Sequence, residues 1–188
     1  MLKDMLVLAS QSPRRAEILK QAGFPFLVRP ANVPEDLRPR ETPVDLVRRL
    51  AREKAFAVER GRDEVILGAD TVVVAGGEVL GKPAGPEDAV RMLRLLSGRE
   101  HHVLTGICLR APERDIVDSA LTKVFFAPLG EEEISSYVAS GEPMDKAGAY
   151  AIQGLASKFV DRIEGCYFNV VGLPVSLVYH RLSEIGAL

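Results

Sequence analysis

The segment LVLASQSPRRAEILKQAG, residues 6–23, sets two arginines, Arg14 and Arg15, where an apolar run gives way to an amphipathic stretch. Ser12 has the chemistry of a helix N-cap, and Pro13 suits the first helical position. A helix start leaves backbone N–H groups unsatisfied and carries partial positive charge, so it is a natural anion site. Cationic side chains in that first turn disfavour the helix itself. They point to an outside ligand bearing several negative charges, and the planar guanidinium fork grips phosphate oxygens in pairs. The plainer alternative is two solvated arginines on an exposed turn.

A second stretch, VILGADTVVVAGGEVLGKPAGPEDA at residues 65–89, delivers Asp70 and Thr71 between apolar runs. A carboxylate among buried positions is costly unless it is paired, ligates a metal or does chemistry. Asp70 offers the hard oxygen that Mg²⁺ accepts beside substrate phosphates, and it could orient or deprotonate a water. The alternative is a turn aspartate bonded to its own backbone. Lys82 sits between Gly81 and Pro83, which shape a loop and leave the ammonium as a point charge for phosphate; taken alone, it reads as a surface lysine. A third stretch, residues 140–174, is dense in glycine (Gly141, Gly148, Gly154, Gly165, Gly172), which implies tight backbone geometry. Lys146 and Gln153 are its ligand-facing candidates, since a glutamine amide can read a nucleobase edge. Tyr150, Ile152, Tyr167 and Phe168 read as core.

Glu35 lies in a polar loop and could be a second metal carboxylate, though alone it passes for surface. Lys54, in RRLAREKAFAVER, reads by default as the solvated face of a helix. His101, His102 and His180 are isolated, with structural roles expected. No GxxxxGK[ST] loop, GxGxxG fingerprint, HExxH pair or glutamate-rich Nudix box occurs.

The elements that must position these groups alternate between strand and helix. Strands are predicted at 5–9, 24–29, 65–68, 71–75, 78–80, 102–110, 116–127 and 158–163. Helices are predicted at 13–22, 43–60, 86–96, 131–140 and from Pro174 to about 185, several ending at Gly or Ser-Gly. Gly76-Gly77 reads as a hairpin turn. The pattern is α/β or α+β with a mixed sheet, and the long pair at 102–110 and 116–127, expected to be antiparallel, argues against a purely doubly wound fold.

The 188 residues suggest one domain, 1–188, with at most two lobes. The net charge of −2 argues against a general nucleic-acid binder. Cys108 and Cys166 have no zinc-like spacing and no activating neighbour, so they read as small buried hydrophobes. With no leader segment and no long apolar run, the expectation is a cytoplasmic chain with reduced thiols.

Four stretches in order, LASQSPRRAEIL, GADTVV with GKP, LSGREHHVLTG, and GEPMDKAGAYAIQG running into GCYFNVVGLP, span residues 8–174. Together they resemble the Maf family of nucleoside triphosphate pyrophosphatases, within the Maf/Ham1 superfamily. The resemblance implies a long twisted mixed sheet flanked by helices, in two lobes about a central cleft. It implies hydrolysis of a nucleoside triphosphate between the α and β phosphates, giving a monophosphate and pyrophosphate. Ser10, Arg14 and Arg15 match the family's phosphate-binding stretch, Lys54 and Lys82 its basic cleft residues, and Asp70 its general base and metal-linked carboxylate, with Glu35 a further metal carboxylate. Arg14, Thr71 and Gln153 match substrate-contacting positions that separate the branches, and the AYAIQG form resembles the branch acting on dTTP and UTP. The implied cofactor is Mg²⁺ or Mn²⁺. The implied partner is a small nucleotide, with no nucleic acid or membrane, and the resemblance is compatible with a homodimer. Two alternatives stand beside this reading: the sister branch that prefers 7-methyl-GTP, and a non-catalytic nucleotide sensor in septum formation.

Overall fold

The computed structural model describes residues 4–188. Its strands are β1 (Met5–Ala9), β2 (Phe26–Val28), β3 (Glu64–Ala75), β4 (Glu78–Leu80), β5 (Glu100–Arg110), β6 (Asp115–Phe126) and β7 (Val160–Glu164). Its helices are α1 (Pro13–Gln21), α2 (Pro43–Phe56), α3 (Pro86–Leu96), α4 (Glu131–Ala139), α5 (Tyr167–Val171) and α6 (Val175–Glu184). The sheet order is β2-β1-β3-β5-β6-β7, with β4 paired to β3. Strand β1 runs parallel to both β2 and β3, while β4 pairs antiparallel with β3 and β7 with β6. The expected mixed α/β architecture is therefore present.

The chain divides into two compact units. The first comprises Met1–Asp70, Thr105–Ala120 and Gly172–Leu188, and the second Thr71–Leu104 and Leu121–Val171. In the first, Val7, Ala9, Ile66 and Cys108 of the sheet pack with Ala51, Ala55 and Val58 of the α2 region. The second gathers Leu80, Met92, Leu93, Leu96, Phe126, Tyr137, Tyr150 and Phe159. There Phe126, Tyr150, Tyr137 and Phe159 meet edge to face, an arrangement that aromatic quadrupoles favour.

Several elements differ from the sequence expectation. The runs at 65–68 and 71–75 form one continuous strand, because the glycine at 68 serves packing and not a turn. Helix α2 stops at Phe56, short of Arg60. Beyond it the Glu64 carboxylate accepts the Gly61 N–H at 2.6 Å and pairs with Arg29, while Arg29 also donates to the Glu59 carbonyl, which holds this segment in a turn. Strand β7 starts at Val160 because Leu155–Phe159 forms a 3₁₀ turn. Helix α5 was not anticipated, and Tyr167 on it is exposed, so it is not a core residue. Cys108 is buried and Cys166 only half-buried, both as free thiols. Among the described residues, no helix is long and apolar enough to cross a membrane.

Candidate active site

Residues Ile66, Gly68 and Asp70 alternate onto one face of β3, since side chains in a strand have a period of two. That face meets α2. A Cβ on Gly68 would stand 2.1 Å from the Ala51 carbonyl oxygen and 2.7 Å from the Ala55 nitrogen. On β5, a Cβ on Gly106 would stand 2.2 Å from the Val47 oxygen. Helix α2 thus lies directly on the glycine backbone of two strands, closer than any side chain would permit.

The helix itself is well specified. Thr42 accepts the Asp45 N–H at 3.2 Å as its N-cap, and Pro43 occupies the first turn. Val47, Leu50, Ala51, Lys54 and Ala55 recur at spacings of three and four and are buried. Lys54 therefore belongs to the buried stripe, which corrects its default reading as solvated. The signal was present in the sequence, because Lys54 stands four residues after Leu50 and three after Ala51.

The close approach delivers the Lys54 ammonium onto the Asp70 carboxylate, with Nζ at 2.6 Å from Oδ1. The same nitrogen donates to Oε1 of Glu35, also at 2.6 Å. Asp70 is 6% exposed and Lys54 8%, whereas the Glu35 side chain is about half exposed. Burial pushes the Asp70 carboxyl above its ordinary value, while the charges of Lys54 and Arg15 pull it back down. A raised pKa makes a carboxylate a better proton acceptor near neutral pH.

Arg15 lies on the buried side of α1. Its Nε donates to the Gly172 carbonyl at 2.8 Å and one terminal nitrogen to the Ser10 hydroxyl at 3.1 Å. Ser10 also accepts the Ser12 N–H at 3.2 Å, and Ser12, although at the N-cap position, makes no side-chain cap. The side-chain cap expected of Ser12 is therefore not made, and Ser10 instead holds the backbone of the N-cap residue itself. Gly172 has φ +127°, a conformation that side chains avoid, so its carbonyl can meet Arg15 only from a glycine. That role was missed at the sequence level. Burial lowers the Arg15 pKa, helped by the charge of half-buried Arg14, while Asp70 opposes the shift; the group stays cationic.

Helix α1 has no acidic residue in its first turn, where α2, α3 and α4 carry Asp45, Glu87 with Asp88, and Glu131 to Glu133. Ser10, Arg14, Arg15, Glu35, Lys54 and Asp70 all belong to the first unit. The hydrogen bonds join Arg15 to Ser10 and join Lys54 to both carboxylates.

Thr71, Lys82 and Gln153 belong to the second unit. Thr71 follows Asp70 on β3. The loop holding exposed Lys82 is tied to the glycine-rich segment, since the Gly81 carbonyl accepts the Gly148 N–H at 3.0 Å. Gly148 has φ +69° and a Cβ there would lie 2.8 Å from a Val73 methyl. Gln153 is exposed on the turn just beyond. Lys146 does not present itself as a ligand group: its Nζ donates to the Glu142 carbonyl at 2.8 Å and to Asp145 at 2.5 Å. His101 is structural, as expected. Its Nε2 is 2.8 Å from the Tyr150 hydroxyl, its ring packs on Phe126, and burial lowers its pKa to about 4.

Among the described residues, no three His, Cys, Asp or Glu side chains gather as a metal cage. Glu35 and Asp70 nonetheless converge on one ammonium. Mg²⁺ characteristically takes one or two carboxylates and completes its octahedron with substrate phosphates and water. The donor set fits a cation bound together with a phosphate substrate.

Residues 5–185 match the family model described as Maf-like protein. Three curated relatives carry the name dTTP/UTP pyrophosphatase. The protein of Geobacter sulfurreducens is 53% identical, covering 100% of both chains. That of Koribacter versatilis is 51% identical over 97% of this chain and 95% of its own. That of Anaeromyxobacter sp. strain Fw109-5 is 56% identical over 96% of this chain and 89% of its own. Among solved structures, the Ham1 protein of Staphylococcus aureus has a TM-score of 0.52 at 13% identity, covering 96% of this chain and 98% of that one. The HAM1 protein of Coxiella burnetii has a TM-score of 0.50 at 18% identity, covering 98% and 100%. These two likenesses describe the fold alone. From the family match over nearly the whole chain and the identity to its relatives, the chain belongs to the Maf family.

Proposed function

We propose that this protein is a nucleoside triphosphate pyrophosphatase acting on dTTP and UTP, releasing the monophosphate and pyrophosphate. The observation that carries the chemistry is the buried Asp70 carboxylate held by Lys54 at 2.6 Å on the same unit as the Arg14–Arg15 helix start. The substrate range rests on the relatives' names and on the AYAIQG sequence around Gln153.

In this reading Arg14, Arg15, Ser10 and the α1 N-terminus bind the triphosphate, with Lys54 and Lys82 adding positive charge. Asp70 positions a water against the α phosphorus and takes its proton as the water attacks. The bond from the α phosphorus to the bridging oxygen breaks, and pyrophosphate leaves. Preorganised cationic groups stabilise the charge that accumulates on the phosphoryl oxygens. Asp70 and Glu35 would hold a Mg²⁺ or Mn²⁺ ion, which when bound neutralises phosphate charge. Thr71, Gln153 and Arg14 contact the nucleotide and set its class. Burial of Asp70 beside a lysine supports a base held off solvent, which a purely sensing protein has no need of. We place the protein in the cytoplasm, where its two free thiols stay reduced, with a small nucleotide as partner and neither nucleic acid nor membrane; a homodimer is compatible with this reading.

The test is pyrophosphate release from dTTP, UTP, CTP, dATP, GTP and 7-methyl-GTP, with Mg²⁺, with Mn²⁺ and with chelator. Turnover of dTTP and UTP that is metal-dependent and absent in Asp70→Asn is the expected result. Preference for 7-methyl-GTP overturns the substrate assignment and keeps the chemistry. Tight nucleotide binding without turnover overturns the enzyme reading.

A further inference from the structure

Gln153 sits on an exposed turn, yet reading a base edge demands a fixed donor and acceptor. A misplacement of about 1 Å can cost about a hundredfold in rate. Something must therefore immobilise the turn, and the second unit contains a pair of side chains arranged to do so.

Helix α4 presents Tyr137, which is 4% exposed and packs edge-on against Phe159 with ring centroids 5.4 Å apart. Its hydroxyl donates to Oε1 of Glu142 at 2.9 Å and accepts the Ala151 N–H at 3.3 Å. The other oxygen of Glu142, Oε2, accepts the Leu155 N–H at 3.1 Å. The two backbone bonds fall symmetrically, two residues before Gln153 and two after it. Between them the turn closes on itself, with the Gly154 N–H donating to the Ala151 carbonyl at 3.0 Å. The carboxylate also lies flat against Gly154, where an added Cβ would stand 2.3 Å and 2.4 Å from its two oxygens. Glu142 is itself held: its N–H bonds the Ser140 hydroxyl at 3.2 Å and its carbonyl accepts Lys146 at 2.8 Å. Neither Tyr137 nor Glu142 has any part in phosphate binding or proton transfer as described above.

We propose that Tyr137 and Glu142 form one positioning pair that clamps the turn carrying Gln153 and thereby sets nucleobase discrimination. The inference rests on the reading of Gln153 as a base contact. Gly154 is then required at its position because the carboxylate occupies the space of a side chain. A tyrosine edge anchored in the aromatic core transmits that core's rigidity to an otherwise solvent-exposed amide.

The experiment measures kcat and KM for dTTP, CTP and dATP in Tyr137→Phe, Glu142→Ala, Glu142→Gln, Gly154→Ala and Gln153→Ala, with hydrogen exchange at the Ala151 and Leu155 amides. Glu142→Ala is expected to speed exchange at both amides and to lower the preference for dTTP by about tenfold, through KM more than kcat. Glu142→Gln restores both, because its carbonyl can accept from Leu155 while its NH₂ donates to the tyrosine oxygen. Tyr137→Phe keeps the ring on Phe159 and reproduces the loss at Ala151. Gly154→Ala lowers the preference in the native background and adds nothing in Glu142→Ala, where the group it strikes is gone. An equal fall in kcat/KM for every nucleotide, with the preference unchanged, is what a merely structural role produces and overturns the proposal. If Gln153→Ala lowers the preference while Glu142→Ala leaves preference and exchange unchanged, the clamp alone falls. If Gln153→Ala leaves the preference unchanged, the base-reading role falls and takes this proposal with it.

Discussion

Lys54 on α2 and Asp70 on β3 meet at 2.6 Å because Gly68, two residues before Asp70 on the same strand face, has no side chain to hold the helix away. Ion pair, glycine and helix stripe make one arrangement. Disturbing any of them should disturb the others.

Removing the carboxylate while keeping its shape isolates the chemistry. Asp70→Asn should lower kcat by about 10²–10⁴, the usual cost of losing a general base. Circular dichroism should be unchanged, since Lys54 keeps Glu35 as a partner at 2.6 Å. Retention of near-native turnover would remove Asp70 from the mechanism.

Removing the cation strands a buried anion. Lys54→Met should destabilise the fold by about 3–5 kcal/mol, the range for breaking one side of a buried pair. In a chain of this size that lowers the melting temperature on the order of 10 °C. The Lys54 charge lowers the Asp70 pKa, so its loss raises that pKa further. The acid limb of the kcat/KM profile should therefore move to higher pH. A limb that stays in place would mean that another group titrates.

Gly68→Ala should cost about 1–3 kcal/mol as an overpacked contact, because its Cβ would meet the backbone of Ala51 and Ala55, which cannot yield as a flexible side chain does. Turnover should fall with it as α2 is displaced and Lys54 leaves Asp70. Gly85→Ser is the control. A Cβ there meets nothing within 4 Å and serine is a good N-cap for α3, so melting temperature and activity should hold or rise slightly.

Acid should destabilise the protein in two stages. Burial holds His101 at about 4 against an ordinary 6.5. The unfolded chain takes up that proton first, so the contribution is complete above about 6.5 and is lost as pH falls towards 4. Hydrogen bonds from Arg49 to Glu41 and from Arg29 to Glu64 hold both carboxyls at about 2 against an ordinary 4.5. Their contribution is complete above 4.5 and is lost as pH falls towards 2. Melting temperatures recorded from pH 8 to 3 should show the first decline, and His101→Phe should flatten it between 6.5 and 4.

What the sequence determined by itself is local. Pro13, Pro43 and Pro86 mark helix starts and Gly76-Gly77 a hairpin, because these residues act through their own backbone dihedrals. The order of the four family stretches carried the candidate residues, and Asp70 stood out because a carboxylate between apolar runs needs a reason. Tertiary structure decided everything that depends on contact between distant segments. Gly68 looked like a strand break and is a packing site, since only the arrival of α2 reveals what its missing Cβ would strike. Gly172 acquires meaning from Arg15, 157 positions earlier. Lys54 looked solvated because charge is usually an outward signal, and its place on the apolar stripe matters only once Asp70 is seen on the strand beneath. Tyr137 and Glu142 gave no local sign of their role, because two bonds converging on either side of Gln153 arise only when α4 and residues 151–155 pack into the same core.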